Sequence, residues 1–147
     1  MDGLSHKELA ASCFNKVWDL LEKEERSSEE NEQMVHLCHS SFWHWTQVED
    51  HTPQNVSIGY WQLSRVYAVV GRGEEALHYA KRCISVSLEA DLPPFFIAYA
   101  YEAEARAYKV IGQHRECENA VAQAYIYVEK IVIEDNKQLV EKDLEQI

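Results

Sequence analysis

The feature that most constrains this chain is a duplication between Val56 and Ala124. The segments GYWQLSRVYAVVGRGEEALHYAKRC and AYEAEARAYKVIGQHRECENAVAQA align without a gap. Equivalent residues stand 41 positions apart: Arg65 and Arg106, Tyr67 and Tyr108, Gly71 and Gly112. A fixed period of this size indicates helical hairpins that stack on one another.

The apolar residues recur at three- and four-residue steps, and no segment alternates as a strand does, so we predict an all-α fold. Thr52-Pro53 and Pro93-Pro94 start new helices, and Gly71 and Gly112 end helices because glycine accepts the left-handed backbone of a helix end. The prediction is one all-helical domain over residues 1–147, a right-handed stack of three antiparallel hairpins. Its parts are a divergent hairpin at 5–48, repeat hairpins at 53–88 and 94–133, and a C-terminal capping helix at 135–147.

Polar residues before the apolar stripes predict where helices begin. Their side chains accept hydrogen bonds from the free amide groups of a first helical turn. The candidates are Ser5 with Glu8, Ser27 and Ser28, Thr52, and Asp135 with Gln138.

Composition narrows the partner classes. Hydrophobic residues at 46% and charged residues at 27% are typical of a globular protein. The formal net charge of −11 argues against binding to nucleic acid or an anionic membrane, because phosphate binding requires clustered Lys and Arg. No stretch approaches the roughly 20 apolar residues of a membrane span. The start, MDGLSHKELA, shows no signal pattern, so we expect a cytoplasmic protein.

The four cysteines are far apart, and each falls on a predicted apolar helix face. Reduced thiols acting as small core residues explain them better than a disulfide or a metal set. The four cysteines are Cys13, Cys38, Cys83 and Cys117. We expect the protein to bind no cofactor.

The duplicated region resembles the tetratricopeptide repeat, which pairs an aromatic- and leucine-bearing helix with a second helix through small residues. The matching residues of the first unit are Tyr60, Leu63, Tyr67, Gly71, Ala76, Ala80 and Cys83. Those of the second are Tyr101, Ala105, Tyr108, Gly112, Cys117 and Ala124. The stretch GYWQLSRVYAVVGR is also similar to one found in small bacterial proteins of this type.

The chain departs from the repeat family in three places. Its period of 41 exceeds the usual ~34, Glu104 stands where the first unit has Leu63, and no proline follows Cys83. The first hairpin matches poorly, so the resemblance covers about half of the chain.

The resemblance implies a concave groove lined by the first helix of each hairpin, which holds a peptide or the tail of a partner protein. The implied groove positions are Ile58, Trp61, Arg65, Val69, Tyr99, Glu102, Arg106 and Lys109, and the candidate binding residues are Trp61, Arg65, Tyr99, Glu102, Arg106 and Lys109. Arg65 and Arg106, with Lys109 beside them, would hold a carboxylate or a phosphate through charge-assisted bonds, so the expected partner carries an acidic end. The alternative is that both arginines pair with local acids such as Glu102 at the surface.

A second hypothesis is a metal-binding or enzymatic protein that uses the segment His36–His51. Four histidines and Cys38 fall in this span, and neutral imidazole is a common metal ligand. However, His44 drifts off the face shared by His36 and His39, and no HExxH-type motif is present. Packing of the aromatic and histidine side chains against a neighbouring helix is favoured.

Self-association is compatible with either hypothesis. Tyr125, Ile126 and Tyr127 provide more apolar surface than one buried helix stripe can use. Exposed apolar surface of this kind marks interaction sites, so a homodimer is a further prediction.

Overall fold

The computed structural model describes residues 3–147, so Met1 and Asp2, the first two residues of the predicted domain and of the start that shows no signal pattern, lie outside the described residues. Helix covers 79% of the described part of the chain, which contains no strand, and the all-α prediction is confirmed. The seven helices are α1 (His6–Leu21), α2 (Ser28–Gln47), α3 (Pro53–Val69), α4 (Gly73–Glu89), α5 (Pro94–Ile111), α6 (His114–Val128) and α7 (Glu134–Glu145).

Side-chain caps begin the first three helices. The Ser27 hydroxyl accepts from the amide of Glu30, whose carboxylate accepts in turn from the Ser27 amide. Thr52 forms the same reciprocal pair with Asn55. The Ser5 hydroxyl accepts a hydrogen bond from the Glu8 amide, without the reciprocal bond from the Ser5 amide to the Glu8 carboxylate. These bonds satisfy amide groups that have no partner inside the helix.

Consecutive helices pack against one another along the whole chain, apart from a small contact between α6 and α7. The first helices of successive hairpins also touch, since α3 contacts α5 and α5 contacts α7. Small residues allow these close approaches: five alanines of α5 are buried, which lets neighbouring helices reach its backbone. They are Ala98, Ala100, Ala103, Ala105 and Ala107.

The C-terminal helix continues the period of the duplication. Pro94 begins α5 41 residues after Pro53 begins α3, and Glu134 begins α7 40 residues after that. Val140 and Leu144 of α7 are buried against Ala98 of α5 and Ala124 of α6. The predicted capping helix therefore sits in register with the two preceding first helices.

Two boundary predictions at this end of the chain were wrong. The sixth helix stops at Val128 rather than at residue 133, and Ile133 rather than Asp135 occupies the cap position of α7, without a side-chain bond. The chain must turn here so that α7 can pack on α5 and α6. Val132 and Ile133 are exposed in this turn, and their apolar character continued the helical pattern past the true end.

The surface expected to favour self-association is only partly open. Ile126 is 49% exposed, whereas Tyr125 and Tyr127 are half-buried, and the Tyr127 ring stacks on Tyr101. The homodimer stays a prediction. Within residues 3–147, none of the helices has both the length and the apolar character that a membrane span requires.

Gly71 and Gly112 lie in the turns between the two helices of each repeat hairpin, with φ values of +84° and +92°. An L side chain is strained at such angles, so we expect Gly112→Ala to lower the free energy of unfolding by about 1 kcal/mol. Urea denaturation measures this change. Gly3→Ala is the control, because Gly3 has no neighbour within 4 Å and no positive φ. Equal stabilities of the two variants would contradict the role given to Gly112.

Candidate ligand pocket

A cavity of about 380 Å³ lies between the first helices of the hairpins and α7. It is mostly apolar, and its walls come from five helices. The residues that line it are Trp18 of α1; Ser57, Ile58, Trp61 and Arg65 of α3; Cys83 of α4; Phe95, Phe96 and Tyr99 of α5; and Leu139 and Asp143 of α7.

Aromatic rings that brace one another form much of the wall. The Trp18 and Trp61 rings stack with centroids 5.5 Å apart, and Tyr99 meets Trp61 edge to face at the same distance. Phe95 packs edge to face on Tyr99. Each such pair stabilises its own geometry by about 1 kcal/mol, so the wall is held in shape before anything binds.

Glu102 anchors the polar side of this cavity and is fully buried. Its Oε1 accepts from Arg106 at 2.7 and 3.0 Å and from Arg65 at 3.5 Å. Its Oε2 accepts from the Trp61 indole N–H at 3.1 Å. A buried carboxylate is tolerated only when it is paired and hydrogen-bonded in this way. The site therefore links α3 to α5 through one acid.

Arg65 borders the cavity with a side chain that is only 17% exposed. Burial lowers its pKa, and the nearby charge of Glu102 opposes that shift. Its guanidinium lies over the Trp61 ring, 5.6 Å from the centroid. Among residues 3–147, the 3.5 Å contact with Glu102 is its one side-chain hydrogen bond. A guanidinium carries five N–H donors, so most of them have no protein partner among the described residues.

Asp143 reaches the same cavity from α7. Its Oδ2 accepts a hydrogen bond of 2.7 Å from the Tyr99 hydroxyl. Burial is the main cause that raises the pKa of the Tyr99 hydroxyl, and its hydrogen bond to the Asp143 carboxylate raises that pKa further. Tyr99 therefore stays a neutral donor and holds Asp143 in place.

The six predicted binding residues divide into three groups. Trp61, Arg65 and Tyr99 line the cavity. Glu102 and Arg106 form the ion pair beside it, where Glu102 is buried rather than open to a groove. Lys109 is exposed and donates to the backbone carbonyl of Gln146, away from the cavity.

Sequence reasoning missed Trp18, the two phenylalanines of α5, and Asp143. One signal was present for Asp143, because it follows Glu102 by 41 residues, as Glu102 follows Trp61. Trp18 has no such equivalent, since α1 lies outside the repeat. Neither hypothesis for Arg65 and Arg106, ligand binding by both or pairing with local acids at the surface, was complete. Both side chains pair with Glu102, but both are largely buried rather than on the surface.

The histidines between His36 and His51 have separate partners. His39 shares a 2.7 Å hydrogen bond with the Tyr67 hydroxyl, and burial lowers its pKa. His36 lies 3.6 Å from Glu32, and His44 contacts His6 of α1 at 2.9 Å. In the part of the chain that the structure describes, no three His, Cys, Asp or Glu side chains converge as a metal site.

Two of the cysteines are poor nucleophiles. Burial raises the pKa of both Cys38 and Cys83 to about 12. The Cys38 thiol donates to the Val35 carbonyl, and the Cys83 thiol donates to the Ser57 carbonyl. Because the thiolate is the reactive form, neither residue suits nucleophilic catalysis at neutral pH.

No protein-family model matches the chain, and no curated protein or solved structure is significantly similar to it. Membership of the tetratricopeptide family stays a prediction.

The two arginines should differ in their effect on stability. We expect Arg106→Met to lower the free energy of unfolding by about 3 kcal/mol, because the buried Glu102 carboxylate keeps only its longer hydrogen bonds from Arg65 and Trp61. Arg65→Met removes the 3.5 Å contact with Glu102 and the contact of the guanidinium with the Trp61 ring, both of which are weak, and should cost clearly less. Chemical denaturation of both variants makes the comparison, and a larger loss for Arg65→Met would contradict this assignment.

Thiol reactivity should follow burial. At pH 8 a thiol with a pKa of about 12 is a thiolate in roughly one molecule in ten thousand. We expect iodoacetamide to leave Cys38 and Cys83 unmodified in the folded protein and to modify all four cysteines in urea. Peptide mass spectrometry locates the label, and rapid labelling of folded Cys38 would contradict the low reactivity expected from its burial.

Proposed function

We propose that this protein is a non-catalytic interaction module, built as a tetratricopeptide-like stack, that binds a segment of a partner protein in the cavity beside Trp61. The observation that carries the proposal is the meeting of Trp61, Arg65 and Tyr99 around one aromatic cavity. These three residues come from α3 and α5, the first helices of the two repeat hairpins. In tetratricopeptide proteins, which this chain resembles, the first helix of each hairpin lines the binding face.

The register of the first helices supports a stacked architecture. Trp61 and Glu102 occupy equivalent positions of the duplication, and their side chains bond to each other. Equivalent side chains touch in this way when neighbouring hairpins are related by a small, regular displacement. The contact of α7 with α5 extends the same face by a further helix.

The cavity suits an anchor residue of a peptide. Protein interfaces concentrate binding energy in a few large side chains that fill desolvated pockets. A volume of about 380 Å³ falls at the lower end of the range that ligand pockets show, roughly 300–1,000 Å³. Rings that are already packed together lose little freedom on binding, which favours affinity.

Arg65 provides the polar contact. Its guanidinium is mostly buried, has spare donors and borders an apolar wall. A ligand oxygen placed there would gain a charge-assisted bond in surroundings of low polarity. Arg106 has two close bonds to Glu102 and holds the site together instead of contacting the ligand.

The metal-binding or enzymatic alternative gains no support from the described residues. Its histidines contact four different neighbours, and its cysteine is buried.

The proposal is tested by selecting peptides from a random display library on the purified protein. We expect selected peptides to contain a large apolar residue and to lose at least about tenfold in affinity on Arg65→Met. Fluorescence anisotropy with labelled peptides measures the affinity.

Arg115→Met is the matched control, because Arg115 is exposed on α6 and does not line the cavity. It should bind with unchanged affinity. Failure to enrich any peptide, or equal affinities for both variants, would contradict the proposed function.

A further inference from the structure

The cavity holds two opposite charges that do not pair with each other. Arg65 and Asp143 both line it. Within residues 3–147, Arg65 forms its ion pair with Glu102, while the Asp143 carboxylate bonds to the Tyr99 hydroxyl. Opposite charges in surroundings of low polarity attract each other strongly. Here each of them is bonded to a residue of α5 instead, Arg65 to Glu102 and Asp143 to Tyr99.

Each of the two groups has unused bonding capacity. Arg65 donates one long hydrogen bond to Glu102, and Asp143 accepts one bond from Tyr99. A carboxylate has about four acceptor positions and a guanidinium five donors. The cavity therefore offers hydrogen-bond donors from Arg65 and acceptor positions from Asp143.

The charges of the site balance. Arg65 and Arg106 contribute two positive charges, and Glu102 and Asp143 contribute two negative charges. A ligand group with a net charge would leave one of these groups worse paired, which is costly in a buried site. A group that is neutral and dipolar satisfies both.

The lining is also graded along α3. Ile58 near its start faces the cavity together with Phe95 and Phe96, whereas Arg65 lies two helical turns further on. From residue 57 to residue 65 the helix rises about 12 Å. The apolar lining residues therefore gather near the start of α3, and the guanidinium of Arg65 lies towards its other end.

We propose that the cavity takes an internal residue of a partner segment, with a large apolar side chain among the aromatic rings. The backbone carbonyl of that residue accepts from Arg65, and its backbone N–H donates to Asp143. This inference rests on the proposed function and specifies its ligand. It differs from the acidic end expected from sequence, because Glu102 and Asp143 already supply the carboxylates.

The two charges then act as a filter against chain ends. A terminal carboxylate would add a third negative charge to those of Glu102 and Asp143, and a terminal ammonium group would add a third positive charge to those of Arg65 and Arg106. An internal peptide group carries neither charge. Selection of this kind requires both Arg65 and Asp143.

The test uses three short peptides that contain the same phenylalanine flanked by glycines. In the first it is internal and both ends are blocked, in the second it carries the free carboxylate, and in the third it carries the free amine. Titrations are followed by NMR through the Trp61 indole N–H, with the Trp43 and Trp45 indoles, which do not line this cavity, as internal references. We expect the blocked peptide to bind at least about fivefold more tightly than either charged form.

Asp143→Asn provides the discriminating variant, since the amide oxygen still accepts from Tyr99 while the charge is removed. We expect it to bind the carboxylate-ended peptide about tenfold more tightly than the wild type does. Asp135→Asn, an exposed residue of the same helix, is the matched control and should change nothing. Circular dichroism and thermal melting verify that both variants fold.

The outcomes separate the two proposals. If none of the peptides binds and the display selection also fails, the proposed function and this inference fall together. If peptides bind but the carboxylate-ended form is preferred by the wild type, the module stands and the charge filter is wrong. Unchanged selectivity in Asp143→Asn would also overturn the filter.

Discussion

The fully buried carboxylate of Glu102 is the interaction on which the binding face is built. It receives hydrogen bonds from Arg106 of its own helix and from Trp61 and Arg65 of α3. Removing such a group from water is costly, and only several well-placed donors offset the cost. The bonds therefore hold α3 and α5 at one distance and rotation. The Trp61 ring is held by the same acid, and with it the stack on Trp18.

The duplication explains how these groups come to meet. Trp61, Glu102 and Asp143 stand at successive equivalent positions on α3, α5 and α7. In a stack of hairpins, equivalent positions form a column across the first helices. Here the column is an aromatic ring, a buried acid and an acid that borders the cavity. The same backbone geometry was thus used with three different side chains, and these differences create a site within an otherwise regular array.

Much of the fold was open to prediction because its signals are local. The caps at Ser27 and Thr52 and the turns at Gly71 and Gly112 lie within a few residues of the bonds or angles that they set. Prediction was wrong where apolar periodicity continued through a turn, at Val132 and Ile133. Of the site, Trp61, Arg65 and Tyr99 were expected because the resemblance to the tetratricopeptide repeat implied a groove lined by the first helix of each hairpin. Trp18 was not, because no local pattern relates α1 to the cavity.

The sequence by itself determined the helical class, most helix boundaries and the pairing of equivalent positions, since periodicity and capping depend on residues close together in the chain. Only the tertiary structure decided that Glu102 is buried and that Asp143 and Arg65 line one cavity, where Arg65 pairs with Glu102 instead of Asp143. The reason is physical: the state of a charged side chain depends on which groups surround it in space. The residues that line this cavity come from five helices, so no single segment of the sequence contains the groups that surround either charge.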